Sequence, residues 1–308
     1  MQPPASFMDA YRPSLRGRRH MTAAGHYLAA QASFQVMEAG GNAIDGGVAA
    51  GMALGVVQSE LVGVAGVAPI IIYSAEEDRV VTISGLGTWP AATDPEFFTR
   101  EYPDSVPEGI LRCIVPGAPA AWIMALERYG SMTFGEVASA SIKLARDGFA
   151  MYALMAELLA EKAEKYARWD ANAEIYLPGG HSPKVGENFR QEDLGRSLQY
   201  MADCEAAAGG DRIAGLRAAR DAFYKGDIAR KISTYHEDNG GLIRMEDLAS
   251  FEVEVEDALR IDVAGTKVYS CGPWCQGPML LQIMQLLQGQ NLSGMGHNSA
   301  AYMDHVTE

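Results

Sequence analysis

Cys271 and Cys275 are the residues of this 308-residue chain whose type and spacing most directly invite chemistry. Two thiols could hold zinc or exchange with a disulfide. Three residues separate them, one more than the C-x-x-C pattern uses, and no second pair or nearby histidine completes a zinc set. The six histidines scatter without H-E-x-x-H or H-x-E spacing, and no G-x-S-x-G elbow offers a serine nucleophile. The stretch "MEAGGNAIDGGVAAGMALGVVQ" (37–58) is rich enough in glycine to cradle a phosphate at a helix start. It has neither G-x-G-x-x-G nor G-x-x-x-x-G-K-[ST], and Asp45 would repel an anion at the turn. No metal set, no cofactor motif and no complete catalytic constellation emerges. The residues alone point to a scaffold, or to half of an active site.

The elements that would position such a half-site are easier to read. "YLAAQASFQVMEAG" (27–40) is an amphipathic helix stopped by Gly40-Gly41. Asn42 then caps a second helix over about 43–57, with Asp45 in its first turn, where the helix dipole favours negative charge. Gly47, Gly51 and Gly55 fall four apart and predict a flat face on which another backbone lies closely. Two β-branched runs, 70–73 and 79–84, flank "SAEEDR" and predict a hairpin. "PGAPAAWIMALERYG" (116–130) is a helix with proline in its first turn, and Thr133 with Glu136 forms a capping box for the next. From 151 to about 250 the chain is helical and polar and reads as a peripheral region, with "GGDRIAGLRAARDA" as an insertion within it. "FEVEVEDALRIDVAGTKVYSCG" alternates and returns to strands, and "GPMLLQIMQLLQG" is a helix ending at Gly289. The class is α+β around a mostly antiparallel sheet.

Composition narrows the partners. A hydrophobic fraction of 48% is enough for a sizeable core, and a net charge of −14 excludes nucleic acid and anionic membrane as main partners. The basic run "RPSLRGRRH" (12–20) belongs to a solvated N-terminal arm, residues 1–20. No run of 18 apolar residues would span a membrane, and the N-terminus lacks the apolar segment of a secretory signal. Four cysteines are too few for a disulfide framework and fit a reducing compartment, the cytoplasm. "HNSAAYMDHVTE" opens a last helix that reaches Glu308 without a capping residue, so the rest of the fold is expected elsewhere.

Several blocks together resemble the gamma-glutamyltranspeptidase family. "LAAQASFQVMEAGGNAIDGGVAAGMALGVVQSELVGVAGVAPIIIY" is similar to the family's opening, in which a helix, G-G-N-A-[IV]-D-A-A-V-A, a second helix, a glycine-rich turn and a strand follow one another. "VPGAPAAWIMALERYGSMTFGEVASASIKLARDGF", "FYKGDIARKI", "NGGLIRMEDLASFEVEVEDALR" and "YSCGPWCQGPMLLQIMQLLQG" match later blocks in order. The resemblance covers about residues 20–308 and is stronger to the family's amidohydrolase subgroup than to its transpeptidases. It implies the four-layer αββα sandwich of N-terminal-nucleophile hydrolases. It further implies a precursor that cuts itself before a threonine, whose hydroxyl then attacks an amide with its own α-amine as base. Residues 21–308 correspond to the large-subunit portion of one such domain. The nucleophile and oxyanion donors would then lie in the small subunit from the same precursor, with no catalytic residue in this chain. A dimer of the heterodimer is left open.

One departure bears on substrate. In glutamyl-transferring members an arginine four residues before a proline grips the substrate α-carboxylate, and a glutamate follows it. Counting back from Pro90, Leu86 stands at the arginine and Gly87 at the glutamate. An apolar side chain offers a carboxylate no bidentate contact, which argues against a γ-glutamyl donor. Gly85 and Gly87 would leave room and Trp89 would give a flat apolar wall, so Gly85, Leu86, Gly87 and Trp89 are the candidate substrate-binding residues. Three functions follow: hydrolysis of a small linear amide; γ-glutamyl hydrolysis or transfer with the carboxylate held by the other chain; or a non-catalytic scaffold.

Overall fold

A computed structural model describes residues 15–308. Residues 1–14 of the arm over 1–20, with Arg12 of its basic run, lie outside the described residues; Arg19 of that run pairs with Glu38 at 2.6 Å. In chain order the helices are α1 (Tyr27–Glu38), α2 (Ala43–Val57), α3 (Pro95–Glu101), α4 (Ala118–Tyr129), α5 (Phe134–Asp147), α6 (Ala153–Glu161), α7 (Ala163–Tyr166) and α8 (Asp170–Tyr176). They continue with α9 (Glu192–Ala207), α10 (Arg212–Tyr224), α11 (Asp227–Asp238), α12 (Met245–Ser250), α13 (Gly277–Leu287), α14 (Leu292–Met295) and α15 (Ala300–Thr307). The strands are β1 (Ile70–Ser74), β2 (Arg79–Ile83), β3 (Phe149–Ala150), β4 (Asn188–Phe189), β5 (Val255–Asp257), β6 (Leu259–Val263) and β7 (Thr266–Ser270). The chain divides into two compact units, one of residues up to Gly63 with Gly130–Gly215, the other of Val64–Tyr129 with Leu216–Glu308.

In the first unit α1 and α2 pack on each other around Ala29, Ala32 and Ala53, all buried. The turn between them is built as the sequence suggests: Gly40 takes φ +106°, which L side chains avoid, and Asn42 Oδ1 accepts the Ile44 and Asp45 N–H groups. Of the three glycines spaced four apart, Gly55 is buried in α2 but Gly47 is open. A Cβ on Gly47 would meet nothing within 4 Å, whereas one on Gly46 would lie 3.0 Å from Met37 Cγ and Ser33 Oγ of α1. Gly46 is therefore the close-approach position. Helix α5 begins at the expected capping box, Thr133 with Glu136, and packs against α2 and α9.

Two buried carboxylates tie this unit together. Asp45 is fully buried; it accepts the Asn42 N–H at 2.8 Å, the Ser131 hydroxyl at 2.7 Å and the Ser131 and Met132 N–H groups at 3.0 and 3.2 Å. Glu205 of α9 accepts the Phe134 and Gly135 N–H groups, one on each oxygen, both at 2.7 Å. Those donors are the otherwise unpaired amides at the start of α5.

The second unit holds a three-stranded antiparallel sheet, β1-β2-β5, and the antiparallel pair β6-β7. The β1-β2 hairpin turns at Asp78, φ +47°. Tyr224 of α10 is fully buried; its hydroxyl donates to Pro116 O at 2.6 Å and accepts the Ala120 N–H at 3.2 Å, fixing the start of α4.

The segment 151–250 is helical as expected, but it is not a solvated appendage. Met155, Leu159, Leu198 and Met201 are buried in the first unit and Leu216, Ala219 and Tyr224 in the second. The stretch "GGDRIAGLRAARDA" is thus part of the core rather than a solvated insertion: Leu216 and Ala219 are fully enclosed, Arg217 is exposed, and Arg220 is largely buried over the Tyr224 ring.

Candidate functional site

The candidate substrate loop, residues 84–90, leaves the end of β2 and is held by backbone on several sides. Ser84 continues the β2-β5 ladder, donating its N–H to Glu254 O at 3.0 Å and accepting the Glu254 N–H on its hydroxyl at 2.9 Å. The chain then bends, with the Gly85 N–H on Ile83 O at 2.8 Å. Ala68 N–H donates to Gly85 O at 2.7 Å and Val115 N–H to Thr88 O at 2.9 Å, so segments on either side bracket the loop. Pro90 is buried, and the Ala91 N–H donates to Asp247 Oδ1 at 2.8 Å. A loop fixed at this many points keeps one conformation, as a binding wall must.

The glycines do not leave room; they are where backbone already fills it. A Cβ on Gly85 would fall 1.9 Å from Ala68 O, and one on Gly87 would fall 1.7 Å from Val115 O. No side chain fits at either position. Gly85 is buried and Gly87 half-buried, so their part is to let three backbones meet. Leu86 between them is half-buried, and Trp89 is 50% exposed.

Trp89 has neighbours that pattern reading passed over. Its ring lies 6.1 Å from that of Phe98, which in turn lies 5.3 Å from Phe97 and 6.3 Å from Tyr102. Phe97 and Phe98 belong to α3, a helix with no buried residue, capped by Asp94 Oδ1 on the Glu96 N–H at 2.9 Å. The run "EFFTREY" was the available signal: three aromatics within six residues on a short, well-capped helix.

The electrostatics of the same segment are acidic. Asp94, Glu96, Glu101 and Asp104 are exposed, and Arg100 is paired with Glu101 at 2.8 Å. Arg112 points a guanidinium N–H at the Val106 carbonyl.

Among the described residues no group of three or more His, Cys, Asp or Glu side chains could hold a metal ion. Cys271 and Cys275 are free thiols in the turn after β7. Burial, and then the neighbouring Cys275, push the Cys271 thiol up to about 11, so it carries little thiolate at neutral pH.

The chain matches the Gamma-glutamyltranspeptidase family over residues 29–308. It belongs to that family. It is 28% identical over 298 residues to the glutathione hydrolase proenzyme of Bacillus subtilis (strain 168), covering 95% of this chain and 48% of that protein. It is 31% identical over 308 residues to the acylase ACY 1 proenzyme of Pseudomonas sp. (strain SE83), covering 96% of this chain and 52% of that protein. The chain thus spans about half the length of these curated relatives. Among solved structures, the gamma-glutamyltranspeptidase of Helicobacter pylori superposes with a TM-score of 0.86 at 26% identity, covering 96% of this chain and 82% of the other. The α+β, N-terminal-nucleophile hydrolase fold implied by the sequence blocks is therefore the fold of this gamma-glutamyltranspeptidase-family chain, in its large-subunit portion.

Proposed function

We propose that this chain is the large-subunit portion of an autoprocessed amidohydrolase that hydrolyses a small linear amide. The nucleophile is a threonine at the N-terminus of a small subunit from the same precursor. Its hydroxyl attacks the amide carbonyl, its α-amine takes the proton and passes it to the amine that departs as the C–N bond breaks, and water then hydrolyses the acyl ester to the free acid. This chain contributes the acyl-binding wall: the bracketed loop 84–90 with Leu86 on it. Its contribution is orientation and exclusion of water, not proton transfer.

The observation that carries the reading is Leu86. It stands where the resemblance puts a carboxylate-gripping arginine, on a loop too tightly held to swing another cation in. A second reading, γ-glutamyl hydrolysis with the carboxylate held by the small subunit, is favoured by the similarity to the Bacillus subtilis glutathione hydrolase proenzyme. The complete processed protein, assayed with γ-glutamyl-p-nitroanilide against a panel of short N-acyl amides, separates them. Turnover of the acyl amides above the glutamyl compound supports the first; the reverse order ends it. Mass spectrometry of the active protein should show two polypeptides. A precursor that never cleaves would leave only a non-catalytic scaffold. We place the protein in the cytoplasm, a reading supported by its four free cysteines; fractionation of the producing cell tests it.

A further inference from the structure

We infer that Cys271 and Cys275 form a reversible dithiol–disulfide site, oxidised by low-molecular-weight disulfides and reset by thiols. The inference stands apart from the proposed amide hydrolysis and needs neither a nucleophile on the small subunit nor a substrate.

The fold brings the two thiols together in one turn. Cys271 follows directly on β7, and Cys275 lies two residues before α13. Between them the chain doubles back: the Cys275 N–H donates to Gly272 O at 3.3 Å, and the Cys275 S–H donates to the same carbonyl at 3.7 Å. The returning backbone lies so close that a Cβ on Gly277 would fall 2.2 Å from Cys271 O. Inside this turn the Cys271 and Cys275 side chains are hydrogen-bonded to each other. Two thiols in such contact need only small rotations to reach disulfide geometry. Both are half-buried, so a small reagent has access to them. The turn also touches the sheet from which the candidate loop leaves. Trp274, between the cysteines, donates its indole N–H to Glu256 Oε2 at 2.9 Å, and Glu256 faces Thr82 across β5 and β2.

The order of steps follows from the surroundings of Cys271. Burial, and then Cys275, hold its thiol up at about 11, so the first attack falls to Cys275. The Cys275 thiolate displaces one thiolate from the small disulfide and becomes a mixed disulfide; the departing thiolate takes up the proton Cys275 gave to water. Cys275 then has neither a charge nor an S–H, so its two contributions to the raised Cys271 thiol vanish. Cys271, deprotonated, attacks Cys275 Sγ and expels the second thiol, which takes up that proton. The protein loses two hydrogens with their two electrons, and one small disulfide becomes two thiols. Only three residues separate the cysteines, so the closing step costs little chain entropy. For the same reason the bond constrains the unfolded chain less than a long-range one. It acts as a switch rather than a staple, the transient kind of disulfide that a reducing compartment permits.

The test uses the complete protein, native, in wild-type form and as Cys271→Ser and Cys275→Ser. The probe is bis(2-hydroxyethyl) disulfide, which is uncharged and carries no γ-glutamyl group. Non-reducing peptide mapping by mass spectrometry reads the state of each cysteine over time. In wild type the peptide spanning 271–275 should become lighter by two hydrogens and return to its starting mass with dithiothreitol. It should do so at least about tenfold faster than adducts form on Cys113 or Cys204. Cys271→Ser should stop at one hydroxyethylthio adduct on Cys275, and Cys275→Ser should react at Cys271 at least about tenfold more slowly. Mixed disulfides that persist on the wild-type pair, reaction at Cys113 and Cys204 as fast as at the pair, or a pair that reacts only after unfolding in urea would each overturn the site. These three outcomes are read in the wild-type protein, so they stand whether or not the serine variants fold.

Discussion

Replacing Asp45 by asparagine should destabilise the protein although the two side chains have nearly the same shape. The carboxylate receives four donors: Asn42 N–H and Ser131 O–H on Oδ2, Met132 N–H on Oδ1, and Ser131 N–H shared between them. An amide has one oxygen. If its nitrogen takes the Oδ2 position, Asn42 N–H faces another donor; if it takes Oδ1, Met132 N–H does. Either way one backbone N–H is orphaned in a fully buried site, which costs about 1–3 kcal/mol. Losing the negative charge in the first turn of α2 adds about 0.3–1 kcal/mol. The sum is roughly 1–4 kcal/mol; at about 2.1 cal/mol/K of unfolding entropy per residue, a chain of 308 residues falls roughly 2–6 °C in melting temperature, and a longer processed protein less. Urea and thermal melts of the processed protein, followed by circular dichroism, measure it. Ser131→Ala removes one of the bonds and should cost about 1 kcal/mol. The double variant should cost less than the sum, since both changes remove the Oγ–Oδ2 bond. An Asp45→Asn protein within about 0.5 kcal/mol of wild type would refute this account of how α2 is tied to residues 131–132.

Further outcomes follow from the same geometry. Glu205→Gln should cost about 1–3 kcal/mol, read by urea melt, because one of the Phe134 and Gly135 N–H groups loses its acceptor; kcat/KM should not change. Gly87→Ala should cost about 3 kcal/mol or more and abolish amide turnover, since its Cβ would overlap Val115 O and break the Val115 N–H bond to Thr88 O; a soluble, active Gly87→Ala protein would show the loop is not held as described. Leu86→Arg should raise γ-glutamyl-p-nitroanilide turnover relative to acyl amides, without a lower melting temperature, because Leu86 is only half-buried; unfolding instead would make Leu86 core. His236 is buried, its Nδ1 accepts the Ile243 N–H at 3.4 Å, and burial, then Arg244, hold its pKa below the usual 6.5. Its stabilising contribution is therefore complete above pH 6.5 and lost as pH falls through that value, when the unfolded chain takes up the proton first; in His236→Gln the decline in urea midpoint toward acid pH should be shallower.

What was legible in the sequence was local. Gly40 and Asn42 mark the α1-α2 turn because a positive φ and an Asx cap each involve only a few neighbouring residues. The capping box at Thr133 and Glu136, the 70–74/79–83 hairpin and the helix ending near Gly289 are legible for the same reason. Gly46 rather than Gly47 as the contact with α1 was not, since it depends on how α2 is rotated against a helix it meets only in three dimensions. Nor was the enclosure of 212–224, read as an insertion: Leu216, Ala219 and Tyr224 are buried, and Arg220 lies over the Tyr224 ring, contacts set by partners distant in sequence.

The candidate loop shows how one motif admits two opposite physical meanings. "GLG" beside a possible substrate reads as space, because glycine has no side chain. Distances of 1.9 and 1.7 Å from hypothetical Cβ atoms to the carbonyls of Ala68 and Val115 show that this space is occupied by backbone. Nothing in residues 84–90 announces that, since the partners are 17 residues before and 28 residues after the glycines they meet. The consequence for function is specific. A roomy loop could reshape itself around a carboxylate-bearing acyl group and borrow a cation from elsewhere. A loop pinned by Ala68, Val115 and Glu254 cannot, and the side chains it leaves unburied, Ser84, Leu86, Thr88 and Trp89, carry no charge.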